Sequence, residues 1–214
     1  MKKLLVLSSS PRRDGNSIRL AESAAHGANE AGHQVELFQV DDHVSAFLRD
    51  CRQCRKEDGE CGIEDGFREL FLDHYLPADG VIFATPLYWY GMSGQLKTFF
   101  DRTFCYYAAS CPESAANIDG MSRKRIGLLI SSEETYPGAT LGVIHSIQEF
   151  SRYTHSEFVG AVQGIGNRRG DVEDDPEDPL ARSERLGATI FNRHFSDYRI
   201  DSDRAGSVWT KGMG

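Results

Sequence analysis

The sequence predicts an α/β fold, a doubly wound five-stranded parallel sheet in the order 2-1-3-4-5 with an insertion between strands 2 and 3. Three observations predict it. Five short, largely apolar runs lie along the chain, at 3–8, 34–40, 80–84, 125–130 and 157–162. Between them lie segments whose apolar residues recur at helical spacing. The loop after the first run is rich in hydroxyl and guanidinium groups, as befits a ligand site at the carboxyl edge of such a sheet. Alternating strands and helices imply βαβ units, and hence helices on both faces of a parallel sheet.

The first run, KLLVLS (3–8), is nearly continuous in apolar residues, as expected of a strand covered on both faces. From Asn16 to Ala31, Ile18, Ala21, Ala25 and Ala28 mark a helix face, and Gly32 is a natural stop. QVELFQV (34–40) is the second strand, and GVIFA (80–84), RIGLLI (125–130) and EFVGAV (157–162) are the remaining three. Helices are expected at about 93–104, 138–153 and 179–195. The connection 41–79 is too long for a simple crossover. Its beginning, around three cysteines, reads as irregular. Its end reads as a helix with Phe67, Leu70, Phe71 and His74 on one face after the acidic Glu64 and Asp65. Residues 1–195 are expected to form one ligand-binding domain. The polar, Asp-rich tail 196–214 is expected to be mobile or laid over a neighbouring subunit.

Composition narrows the function classes. A chain of 214 residues with 40% hydrophobic and 26% charged residues is globular in character. A net charge of −8 speaks against a nucleic-acid surface and suits a small-molecule substrate. No run approaches the roughly 18 apolar residues of a membrane span. The apolar stretch Leu4–Leu7 is far shorter than the roughly 7–15 residues of a secretory core, so a cytoplasmic location is expected. Five cysteines in such a chain do not suggest a disulfide framework.

The loop Ser8-Ser9-Ser10-Pro11-Arg12-Arg13-Asp14-Gly15-Asn16-Ser17 gathers hydroxyls, backbone N–H groups and guanidinium groups at a helix N-terminus. Free N–H groups and the helix dipole favour an anion there, and Arg12 can add a forked contact to phosphate oxygens. The competing reading is a solvated turn in which Asn16 or Ser17 caps the helix. Capping alone does not call for serines and arginines together. One glycine, Gly15, is too few for G-x-G-x-x-G, and the triphosphate-binding pattern is absent too. Asp41, at the end of the second strand, is weak evidence for a ribose-binding acid. No cysteine follows the first strand, which excludes a thiolate phosphatase using this loop. A monophosphate held without a metal fits best.

After the third strand comes Thr85-Pro86-Leu87-Tyr88-Trp89-Tyr90-Gly91-Met92-Ser93-Gly94-Gln95-Leu96-Lys97. Three consecutive aromatics bounded by Pro and Gly, at the ligand edge of the sheet, suit a flat tricyclic ring. An aromatic subunit contact is the alternative, and the two roles can coexist. With SSSPRRDGNS, TPLYWYGMSGQLKTFFDR and a cysteine cluster between the second and third strands, the chain resembles the NADPH-dependent FMN reductases among flavodoxin-like proteins, in particular the iron–sulfur-flavoprotein-like branch. The resemblance covers about residues 1–195. It implies FMN bound non-covalently, with the phosphate on Ser10, Arg12, Asn16 and Ser17. It also implies a ring lying against Pro86, Leu87, Tyr88, Trp89, Tyr90 and Gly91. The loop Ser131-Ser132-Glu133-Glu134 is expected to border the flavin as well.

In iron–sulfur flavoproteins the resembling segment carries four close cysteines. Here Cys51, Cys54 and Cys61 are present, and Glu57 stands where the third is expected. A [4Fe–4S] cluster normally takes four thiolates. A zinc ion on the three thiolates with His43 or Glu57 is chemically possible. The expectation is free thiols without metal or cluster, and Cys105 and Cys111 read as incidental. The function so implied is NAD(P)H-dependent flavin reduction, with ping-pong hydride transfer to bound FMN and on to a small-molecule acceptor or free flavin. No catalytic side chain, no nucleic acid and no membrane are expected, and a homodimer or homotetramer is. The alternative is a flavodoxin-type electron carrier serving a protein partner, which the acidic charge mildly favours.

Overall fold

Runs such as Leu4–Leu7 and Val81–Ala84 have no polar face to offer solvent, and the fold buries them completely between two helical layers. The computed structural model describes residues 1–192. In chain order the elements are β1 (Lys3–Ser8), α1 (Asn16–Glu30), β2 (Gln34–Gln39) and the short α2 (Val40–His43). There follow α3 (Phe67–Glu69) continuing into a π-helical segment (Leu70–Tyr75), β3 (Gly80–Pro86), α4 (Gly94–Tyr107) and α5 (Ser114–Met121). The chain then runs through β4 (Arg125–Ser132), α6 (Leu141–Tyr153), β5 (Glu157–Ile165) and α7 (Pro179–Thr189). The sheet is five-stranded and all parallel, in the order β2-β1-β3-β4-β5. This is the flavodoxin-like doubly wound arrangement.

One face of the sheet packs Leu4, Val6, Ile82, Ala84, Leu129 and Val162 against α1 and α7. The other packs Leu5, Leu7, Val81, Phe83, Leu128 and Ile130 against α3, α4 and α6. Register places Ser8 beside Ala84, Pro86 beside Ser131, and Ser132 beside Ile165. The carboxyl ends of four strands therefore stop along one edge, where the ligand loops leave the sheet.

Several expected boundaries move. Strands β3, β4 and β5 run to Pro86, Ser132 and Ile165, past the ends of their apolar runs, because they stay paired where their residues turn polar. Helix α7 ends at Thr189 rather than near 195, and the tail 196–214 lies outside the described residues. Helix α5 has little amphipathic pattern (SAANIDGM), so periodicity did not reveal it. In the insertion, the π-helical segment adds a residue to the turn, so that Tyr75 rather than His74 joins Phe67, Leu70 and Phe71 in the core.

The irregular first half of the insertion is tied to the domain by a buried ion pair. Arg102 of α4, with its side chain 1% exposed, makes a two-pronged bond to Asp65, one prong of 2.8 Å, and lies over the Phe67 ring at 4.4 Å. Asp65 also accepts from the backbone N–H of Ser45 (2.9 Å) and of Phe67 (3.2 Å). Arginine and backbone donors together hold the Asp65 carboxyl below the usual carboxylate range against the opposing cost of burial, which is the largest single effect.

Candidate functional site

A cleft of about 610 Å³ opens at the carboxyl edge of the sheet, walled by four loops. The β1–α1 loop contributes Ser10, Arg12, Gly15, Asn16 and Ser17. The loop after β3 gives Pro86, Leu87, Tyr88, Trp89 and Tyr90, and that after β4 gives Ser131, Ser132, Glu133 and Glu134. The fourth wall, Gly166 to Arg169 after β5, was not foreseen. Of the residues expected from the sequence, all but Gly91 line this cleft.

At the α1 end the chemistry suits an anion. Gly15 occupies the N-cap and no side chain caps the helix, so its first-turn N–H groups are open to a ligand. Ser10 Oγ accepts the Arg12 N–H at 3.1 Å and fixes the turn. Ser17 and Ser131 hydroxyls meet at 2.7 Å and join two walls. Arg13 turns away, making a two-pronged bond of 2.7 Å to Asp42 with Asp41 at 3.2 Å; this pairing lowers the Asp42 carboxyl's affinity for protons. Asp41 is thereby engaged in holding the loop. Arg12, by contrast, has no side-chain partner among the described residues.

Asn16 is placed differently from the expectation of a phosphate ligand. Its Nδ2 donates to the carbonyls of Gly166 (3.1 Å) and Arg168 (3.0 Å). Its Oδ1 accepts from the N–H groups of Gly170 (2.9 Å) and Val172 (3.4 Å). Two donor and two acceptor sites are the amide's full capacity.

The other end is aromatic. Tyr88 and Gly91 exchange backbone hydrogen bonds of 2.9 and 3.0 Å across a two-residue turn, with Trp89 at φ 49° and Tyr90 at φ 61°. Such a turn favours Asn or Gly at its centre, so two aromatics there sit in a costly backbone region. Gly91 closes the turn through its backbone, which keeps it off the cleft wall. Trp89 is 96% exposed at the turn's tip, and the Tyr90 hydroxyl donates to Glu134 at 3.3 Å across the mouth. The neighbouring Tyr136 and then the Glu134 charge push the Tyr90 phenol upward from its ordinary pKa.

Beneath these loops lies a buried hydroxyl network that sequence reading missed. Ser9 Oγ donates to the Ala84 carbonyl (2.9 Å), Ser93 Oγ to the Ser9 carbonyl (3.0 Å), and the Ser93 N–H to Thr85 Oγ1 (2.9 Å). Ser93 also caps α4, accepting from the Leu96 N–H. Ser9 and Ser93 thus lock the first two loops together without lining the cleft. Gln163 fixes the third loop, donating to Ser132 Oγ (3.0 Å) and the Glu134 carbonyl (3.2 Å). The wall composition fits FMN: open N–H groups, hydroxyls and free guanidinium groups at one end, and an apolar and aromatic surface at the other.

The cysteines lie elsewhere. Cys51, Cys54 and Cys61 share a narrow crevice with Cys105 from α4, so Cys105 is no bystander. Burial first, and then the neighbouring Cys54 thiol, push the Cys105 thiol up to about 12. Burial also raises Cys54, opposed by its hydrogen bond to Cys105. Among the described residues, no three His, Cys, Asp or Glu side chains are grouped to hold a metal ion. No helix among them is long and apolar enough to cross a membrane.

The comparisons agree with this geometry. The family model described as NADPH-dependent FMN reductase matches residues 2–163. An iron–sulfur flavoprotein of Methanocaldococcus jannaschii is 36% identical over 88% of this chain and 95% of its own length. A Bacillus subtilis protein named an NAD(P)H-dependent FMN-containing oxidoreductase is 27% identical over 86% of this chain and 96% of its own. Among solved structures, an NAD(P)H:quinone oxidoreductase from Methanothermobacter marburgensis has the same fold, with a TM-score of 0.66 at 23% identity over 91% of this chain and 98% of that one. The chain belongs to the NADPH-dependent FMN reductase family and is an FMN-dependent oxidoreductase.

Proposed function

We propose that the chain takes hydride from NADH or NADPH onto bound FMN and passes the electrons to a small-molecule acceptor or free flavin, in alternation at one face. The observation that carries this reading is the division of the 610 Å³ cleft into a cationic, donor-rich end and an aromatic end open at the mouth. FMN, when bound, supplies the redox chemistry itself. The first-turn N–H groups of α1, Ser10, Ser17 and Arg12 would hold its phosphate. Pro86, Leu87, Tyr88 and Ser131–Ser132 would border the ring and exclude water there. Trp89 and Tyr90 form the entrance and orient an incoming nicotinamide. No side chain is required to move a proton.

Exposed Trp89 and Tyr136, the latter against the Tyr90 ring, favour a homo-oligomer that completes the entrance with a second subunit. The net charge of −8 favours the second reading, an electron carrier serving a protein partner. Stopped-flow mixing of the FMN-loaded protein with NADH or NADPH separates the two. Rapid flavin bleaching is expected. Bleaching only by a reduced protein donor overturns the reductase reading.

A further inference from the structure

The loop after β5 is built more tightly than a connection needs. The Asn16 amide holds it through all four of its hydrogen bonds, to Gly166, Arg168, Gly170 and Val172. Asp171 Oδ2 accepts from the N–H groups of Asn167 (3.2 Å) and Arg168 (2.7 Å). Gly166 leaves no room for a Cβ, which would stand 2.8 Å from Asp171 Cβ and 2.9 Å from Asn16 Nδ2, and Gly170 turns the chain at φ +90°. Arg168 is therefore fixed at both its N–H and its carbonyl. Arg168 is exposed and lines the cleft, and its guanidinium has no partner among the described residues, while the neighbouring Arg169 is paired with Asp14 at 3.0 Å.

We infer that Arg168 is a specificity-determining residue that binds the flavin phosphate together with Arg12, and that Asn16 is its positioning residue rather than a phosphate ligand. The inference rests on the FMN reading of the cleft. A phosphate monoester carries up to two negative charges, and among the groups already placed on it only Arg12 brings a full positive charge. Arg12 comes from the loop before α1 and Arg168 from the loop after β5, and each is left unpaired on the wall of one cleft. Fixing the backbone that carries an exposed arginine removes part of the ordering cost of binding, which gives the rigidity of this loop a purpose.

The test is a titration of FMN and riboflavin, followed by flavin fluorescence, on the wild type and on variants of Arg168, Asn16 and Asp171. Arg168→Ala is expected to weaken FMN about tenfold or more and riboflavin less than about twofold, and Arg168→Lys to recover part of the loss. Asn16→Ala is expected to show the same selective loss, and the double variant to be no more than about twofold worse than the poorer single one. Should Asn16→Ala fold badly by circular dichroism, Asp171→Asn, which weakens the other anchor, is expected to give a smaller loss of the same kind. An Arg168→Ala protein that keeps the wild-type FMN-to-riboflavin ratio overturns the inference while leaving the FMN reading intact. Additive losses in the double variant overturn the positioning role of Asn16. A wild type that binds riboflavin as tightly as FMN overturns both this inference and the phosphate reading beneath it.

Discussion

Arg102 and Arg12 carry the same group in two settings, and the contrast separates what holds this molecule together from what it offers a ligand. Arg102 is sealed inside, doubly bonded to Asp65 and covered by Phe67, and it anchors the insertion to α4. Arg12 stands at the cleft with no side-chain partner among the described residues. A buried charge must be matched within the fold, so its countercharge is present in the chain. A charge that serves a ligand is left incomplete until the ligand arrives. The same division separates Ser9 and Ser93, buried and mutually bonded, from the open N–H groups at the start of α1.

The sharpest way to break the comparison is at the buried member. Arg102→Met leaves Asp65 charged and uncompensated, and is expected to destabilise the fold by about 3–5 kcal/mol in urea unfolding. Adding Asp65→Leu should recover much of that loss, because the unpaired charge goes with it. Neither change should alter the preference of the folded fraction for FMN over riboflavin. Arg12→Ala should do the reverse, weakening FMN by about 1.5–3 kcal/mol while leaving unfolding stability within about 0.5 kcal/mol. Titration and urea melts on both variants would show whether the two roles are as separate as the geometry requires.

A smaller effect tests a third cation. Lys124 is buried at the other edge of the sheet, donating to the carbonyls of Leu76 (2.9 Å) and Ala78 (2.6 Å). Burial pulls its amine down to about 8 from 10.5, against the nearby Asp79 charge. Between those values the unfolded chain still holds a proton that the folded chain has released. Wild-type stability should therefore rise with pH across that window relative to Lys124→Met, by at most about 1.4 kcal/mol per pH unit. Parallel pH profiles for the two proteins would contradict this assignment.

The insertion gives a prediction of composition. Relatives named iron–sulfur flavoproteins share this family, yet Glu57 stands where a thiolate is expected and Cys105 enters the crevice from α4. Anaerobic purification is expected to yield protein without a complete [4Fe–4S] cluster. Near four irons per chain, with matching sulfide, would refute it.

The strands were legible because a buried parallel sheet writes each strand as a short apolar run, and the first two ligand loops because each carries an unusual composition at a strand end; the third was legible only by its place after the fourth strand. The fourth loop, Gly166–Arg169, was hidden by its ordinary look as a polar turn. Yet all parallel strands end on one edge, so two arginines just after β5 were a usable signal. Asn16 shows another limit. Its position at a helix start fits a phosphate ligand equally well on paper, and only the path of the chain brings residues 166–172 against it. The meeting of Cys54 with Cys105, and of Asp65 with Arg102, likewise depends on contacts far apart in sequence. The π-helical step that exchanges His74 for Tyr75 changes the period itself, which no fixed-period reading can follow.

The central claim is that the cleft holds FMN where nicotinamide can reach it, and rapid-mixing reduction tests it most directly. With FMN bound and oxygen excluded, NADH or NADPH should bleach the flavin absorbance in a single fast phase that saturates with nucleotide concentration. Replacing Trp89 by Ala should slow that phase, and replacing His145, exposed on α6 and outside the cleft lining, should not. Flavin that stays oxidised with either nucleotide, yet is bleached by a reduced protein donor, would contradict the account and make the chain an electron carrier.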